Sequence, residues 1–197
     1  MKRFFQIPLI SLIPLMAAIL CTACTQQSLE TTYSNQESRI DSFIENLMNS
    51  ENPPVRVIHN NGSNRIVLGE YIPADDTDMN YREELTETGS VSFYYAGYVF
   101  SGSTPSSNNL FATNNQDVAV AAGWELTNAD YNILTLNMSD KGALVEGLRN
   151  GMIGVRGQDT CYVVFSGKYG FGDKAVGIVP ANSALIYQIW VESVNND

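Results

Sequence analysis

The sequence holds few side chains that could do covalent or metal chemistry. Cys161 and the single histidine, His59, are the first candidates, as a thiol and imidazole pair. Such a pair needs an accessible thiol and a third group to orient the imidazole. Cys161 instead alternates with Tyr162 and Val163 in a β-rich run, which predicts a buried strand residue, and no third group is recognisable. Asp76, Asp78 and Asn80 alternate as the oxygen ligands that open a calcium loop do, with Glu87 at the twelfth position. Tyr81 stands where such a loop needs glycine for its sharp turn, so Pro73 to Glu87 is expected to be a solvated acidic loop. No metal site, cofactor or phosphate cradle is expected. Any enzymatic chemistry here must need none of them.

The elements that surround these residues are mostly strands. Val91 to Phe100 alternates and is rich in aromatic and β-branched residues, so it predicts a strand that Gly102, Pro105 and a Ser/Asn cluster end. Leu134 to Met138 predicts a second, short strand. Lys141 to Arg149 predicts a short helix with Leu144, Val145 and Leu148 on its apolar face and Asn150-Gly151 as its stop. Thr160 to Phe165 and Ala184 to Val194 are apolar strands on either side of a glycine-rich loop. Upstream, Val55, Val57 and Ile58, then Asn61-Gly62, then Ile66, Val67 and Leu68 read as a hairpin. From Glu37, the residues Ile40, Phe43, Ile44, Leu47 and Met48 fall at helical spacing, until Asn52-Pro53-Pro54 stops the helix. That amphipathic stripe packs most simply on its own domain; a homodimer contact is the alternative. Strands around one short central helix imply an α+β fold, a curved antiparallel sheet wrapped over that helix.

Several motifs follow in fixed order: Phe93-Tyr94-Tyr95-Ala96-Gly97, Glu146-Gly147-Leu148, Gly151-Met152, Tyr169-Gly170-Phe171-Gly172 and Gly177-Ile178-Val179-Pro180, then the strand from Ala184 to Val191. In this order they resemble the FKBP-type peptidyl-prolyl isomerases, over Leu85 to Val194. The resemblance implies an FKBP-like fold with a shallow apolar pocket for a proline ring. It implies Phe111, Phe171 and Tyr187 as catalytic aromatic walls. Tyr95 would stand at the pocket edge, Leu144 as its floor on the helix, and Ile178 and Val179 as substrate-binding residues whose backbone N–H groups orient a carbonyl. The family's aspartate is Ala112 here, and its loop tyrosine is Phe171. Each lost polar contact is worth about 0.5–1.5 kcal/mol, or up to about tenfold in rate or affinity. Between Phe111 and Leu134 the chain is longer than the family norm and carries Trp124 and Tyr131. That insertion is expected beside the pocket mouth, as a lid, a partner-binding loop or decoration. The implied reaction is rotation about an X-Pro bond in proline-containing polypeptides, against a barrier of about 18–20 kcal/mol set by amide resonance. The alternative is a binding or chaperone-like module that has kept the fold and lost the rate.

The amino-terminal end adds a location. Lys2 and Arg3, an apolar run from Phe4 to Leu20 and the small residues before Cys24 have the order of a secretory signal peptide over residues 1–23. A cysteine at that place resembles the lipidated residue of bacterial lipoproteins, so Cys24 is expected to carry a lipid and hold the domain to the cell envelope, outside the cytoplasm. Residues 24–36 are polar and read as a flexible tether, residues 37–84 as a helix and hairpin leader, and residues 85–197 as the isomerase domain. Such a cut leaves Cys161 as the last of three cysteines, and no intramolecular disulfide. It also reduces 11 basic residues to 9 against 21 acidic ones, a net charge near −12, which makes nucleic acid an unsuitable partner.

Overall fold

Strand-forming runs of Val, Ile, Tyr and Phe assemble, in this computed structural model, into one antiparallel sheet of seven strands. The structure describes residues 13–70, 83–125, 127 and 131–197, with the side chains of the first helix described from Gln26 onward. The chain begins with α1 (Ile13–Met48), followed by β1 (Arg56–Asn60), β2 (Ser63–Gly69), β3 (Ser90–Val99), β4 (Leu110–Thr113) and α2 (Gln116–Ala121). It continues with β5 (Leu134–Asn137), α3 (Glu146–Met152), β6 (Thr160–Phe165) and β7 (Leu185–Asn195). The sheet order is β1-β2-β6-β7-β3-β4, with β5 also paired to β3. The register of β3 shifts between Ser92 and Phe93 against β7, and between Gly97 and Tyr98 against β4. Such bulges add local twist, and the sheet curves around α3. The α+β reading is correct.

Strict alternation divides the apolar residues between the two faces of the sheet. Phe93 on β3, Cys161, Val163 and Phe165 on β6, and Leu185, Tyr187 and Ile189 on β7 form one core with Leu148 and Met152 of α3. Ala96, Tyr98, Val164 and Ile186 face the other way and meet Ile40 and Phe43 of α1. The helical stripe of α1 is thus spent on its own sheet, with Ile40 1% and Phe43 4% exposed.

Four details differ from the sequence expectation. The helix does not begin at Glu37: residues 24–36, expected as a flexible tether, continue α1 without a break. No Pro or Gly interrupts this stretch, and the hydroxyls of Thr31, Thr32, Ser38 and Ser42 donate to carbonyls four residues back. Tyr33 and Gln36 also bond the Asn182 side chain and carbonyl, which gives the upstream turns a partner. Second, the hairpin is not a separate leader, because β2 pairs along its length with β6 and extends the sheet.

Third, α3 starts at Glu146 rather than Lys141. The Gly142 N–H donates to the Asp140 carboxylate and holds residues 140–145 in turns. The helix also runs through Asn150-Gly151, expected as its stop. Gly151 is a packing glycine: a Cβ there would lie 2.2 Å from Val163 Cγ1, and the helix ends one residue later, at Met152, before the turn in which Gly154 takes φ +82. The Arg65 guanidinium, buried beneath this end, donates to the carbonyls of Gly151 and Ile153 and caps the helix. Fourth, the described part of the insertion up to Trp124 lies on the far side. Val118, Ala122 and Trp124 pack on the α1 face of the sheet and not over α3. Most of the acidic loop with Asp76, Asp78 and Asn80 lies outside the described residues.

Candidate functional site

A cavity of about 250 Å³ opens between the concave sheet face and the turn leading into α3. Tyr95 of β3, Phe111 and Ala112 of β4, Tyr187 of β7, Leu144 and Phe171 line it. Six residues separated by as much as 92 positions in sequence (Tyr95 to Tyr187) thereby share one cavity. Pairing explains how: Gly97 lies opposite Tyr187 and next to Ala112 across the β3–β4 ladder, so β4, β3 and β7 present adjacent side chains on one face. A Cβ at Gly97 would lie 2.8 Å from both Phe111 Cζ and Tyr187 Cε1. The missing side chain is what lets the two rings rest on the strand.

The rings hold one another. Phe111 meets Tyr187 edge-on at 5.7 Å between centroids and Phe171 at 6.0 Å, while Tyr187 stacks on Phe165 at 6.0 Å with 18° between planes. Such pairs add about 0.5–1.5 kcal/mol each beyond burial and fix the wall before any ligand enters. Leu144 is half-buried in the turn ahead of α3 rather than on the helix. Phe171 sits in the loop after the 3-10 turn Gly167–Tyr169.

Phe93, Leu134, Ala143, Val145 and Leu148 complete the lining. Three of them had a signal in the sequence: Phe93 stands two residues before Tyr95 and so on the same face, and Val145 and Leu148 belong to the apolar face assigned to the helix. Leu134 required the register, since it pairs with Phe93.

Ile178 and Val179 are not in the wall. Gly177, at φ +57, makes a tight turn in which Val176 and Val179 exchange two backbone hydrogen bonds. The Val179 N–H donates to Val176 and is committed, and its side chain is 1% exposed in the core. Ile178 is thrown outward, 62% exposed. Cys161 points into the core between the sheet and α3: it is fully buried, and burial pushes its thiol up to about 12, while His59 is exposed and contacts Asn64. The thiol and imidazole form no pair. The side chain of Cys24 lies outside the described residues.

The insertion is tied down by one asparagine. The Asn114 side chain accepts from the Tyr95 N–H and donates to the carbonyls of Phe93 and Asn132, which joins both ends of the insertion to β3. Asn115 then caps α2 by accepting from the N–H groups of Asp117 and Val118.

Solved structures with the same architecture are found among prolyl isomerases. A peptidyl-prolyl cis-trans isomerase from Pseudomonas syringae pv. tomato aligns over 84% of this chain and 96% of its own, at 11% identity and a TM-score of 0.51. The fold is of the FKBP type. Wheat FKBP73, solved with its three FKBP domains, aligns over 74% of this chain and 51% of its own, at 18% identity and a TM-score of 0.50. A multi-domain immunophilin from Arabidopsis thaliana aligns over 71% and 45%, at 10% identity and a TM-score of 0.50. The chain therefore spans about half the length of these two plant proteins. No protein-family model matches the sequence, and no curated protein matches it. Within the FKBP-type fold, the aromatic cavity occupies the space between sheet and helix, while α1 and α2 cover the opposite face.

Proposed function

We propose that the chain is a peptidyl-prolyl cis–trans isomerase that acts on exported proteins from a lipid anchor at Cys24. The observation that carries this reading is the cavity: an aromatic wall of Phe111, Phe171 and Tyr187, edged by Tyr95 and floored by Leu144, with no carboxylate, imidazole or amine among the described residues of its lining. Rotation about an X-Pro bond needs no base and no nucleophile. The planar amide is the more charge-separated state, so an apolar, water-poor cavity favours the twisted transition state over it. A proline ring held against Leu144 fixes one side of the bond while the other turns.

The anchor rests on the sequence of residues 1–24. Among the described residues no helix is long and apolar enough to cross a membrane. A homodimer through α1 would have to avoid Ile40 and Phe43, which the sheet occupies, and use the exposed faces of the helix, Met48 at 46% exposure among them.

One observation favours a second reading, a binding module with little catalysis: Ala112 and Phe171 face the cavity without a polar atom. A protease-coupled isomerisation assay on residues 25–197 separates the two. Acceleration of a Leu-Pro test peptide above the uncatalysed rate supports the isomerase, and a background rate with retained peptide binding leaves the binding module.

A further inference from the structure

Among the described residues, Tyr95 and Tyr187 are the only two side chains in the cavity lining that carry a polar atom. Neither phenolic hydroxyl is hydrogen-bonded to a described residue. The bonds of Tyr95 to Asn114 and Thr113 are made by its backbone, and Tyr187 is held through strand pairing. Tyr187 is only 5% exposed. A tyrosine buried to this degree ordinarily has a partner for its hydroxyl. The Tyr187 oxygen is open to the cavity rather than sealed in the core, and the ring is fixed there by its stacking on Phe165 and its edge contact with Phe111. Tyr95 stands diagonally across the ladder on the same face, with ring centroids 6.4 Å apart. Burial raises the pKa of both phenols, so both remain neutral donors at ordinary pH.

We propose that the Tyr187 hydroxyl, seconded by that of Tyr95, donates the hydrogen bond that fixes a carbonyl oxygen of the bound proline peptide. The proposal rests on the isomerase reading and names the polar group that Ala112 and Phe171 do not supply. It places the donor on the sheet floor, on a strand flanked by two others, instead of on a loop. Two residues that read as bare aromatic walls then have separate duties: Phe111 shapes the cavity, and Tyr187 both shapes it and recognises the acceptor.

The test compares a tetrapeptide containing Leu-Pro with its analogue carrying sulfur in place of the carbonyl oxygen before proline, since sulfur is the weaker acceptor. Binding of each is measured to the full chain in detergent micelles and to its Tyr187→Phe variant, which keeps the ring. The wild type is expected to prefer the oxygen peptide by about tenfold, and Tyr187→Phe to lose most of that preference while binding the sulfur peptide nearly unchanged. Equal binding of the two peptides by the wild type overturns the proposal, as does a preference that survives in Tyr187→Phe. Failure of the wild type to bind either peptide overturns the isomerase reading as well.

Discussion

Single side chains decide how much of the cavity's chemistry survives. Leu144 is half-buried at the floor, so Leu144→Arg places a charged side chain in the space for the proline ring without disturbing a packed core. Isomerisation and peptide binding are expected to fall to background while the thermal midpoint moves by no more than a few degrees. Alkaline pH reports on a different residue. The folded-state pKa of Cys161 is raised from 9.0 to about 12 by burial, so above pH 9 the unfolded chain releases this proton while the native one keeps it. Stability is therefore whole below pH 9 and declines up to about pH 12, by at most about 1.4 kcal/mol per pH unit from this group. Tyr187, raised in the same direction, adds to the fall at the upper end. Urea midpoints at pH 8 and pH 10.5 check this, and Cys161→Ala should flatten the dependence. It was the resemblance of the ordered motifs to the FKBP-type isomerases that singled out Tyr95, Phe111, Leu144, Phe171 and Tyr187 in the sequence, and all five line the cavity. Ile178 and Val179 do not: whether a residue points in or out of a two-residue turn depends on Gly177 taking positive φ, which composition does not reveal.

The short helix α3 is placed by what its glycines lack. A Cβ on Gly147 would lie 2.3 Å from Phe165 Cγ, a ring that is itself 0% exposed and stacked on Tyr187. Gly147→Ala must therefore lift the helix or tilt the ring, at about 1–3 kcal/mol, and should weaken peptide binding along with the melting temperature because Leu144 and Tyr187 both move. Helix α1 rests on large-to-small logic instead: Phe43→Ala removes a 4% exposed ring in edge contact with Phe100, with an expected loss of about 3–5 kcal/mol in denaturant unfolding. The periodicity of Ile40 to Met48 made the packed part of α1 legible. Its upstream turns were not, since polar Ser, Thr and Gln carry no apolar period and the bonds from Tyr33 and Gln36 to Asn182 span nearly the whole sequence.

At the scale of the molecule, both faces of the sheet are covered by the chain itself. Removal of α1 uncovers Ile66, Tyr98, Val164 and Ile186, all 6% exposed or less with the helix in place. A chain starting at Asn52 is expected to self-associate or lose cooperativity, measured by light scattering and thermal unfolding, even though the cavity lies on the other face. The side on which the insertion packs was likewise hidden from the sequence. Trp124 is equally apolar toward either face, and only the β4 direction, with Asn114 binding Asn132, sends it behind the sheet. The way α1 is attached has a mechanical consequence. Among the described residues no backbone hydrogen bond joins α1 to the sheet; side chains alone hold it. The other terminus, by contrast, ends in β7, locked between β6 and β3 by two ladders. Under tension between an anchor at Cys24 and β7, the stretch of α1 from Cys24 to Met48 peels and uncoils first, lengthening from about 38 Å to about 85 Å. The helix thus yields as a fuse at low force, and the strands that carry Tyr95 and Tyr187 keep their register until it is spent.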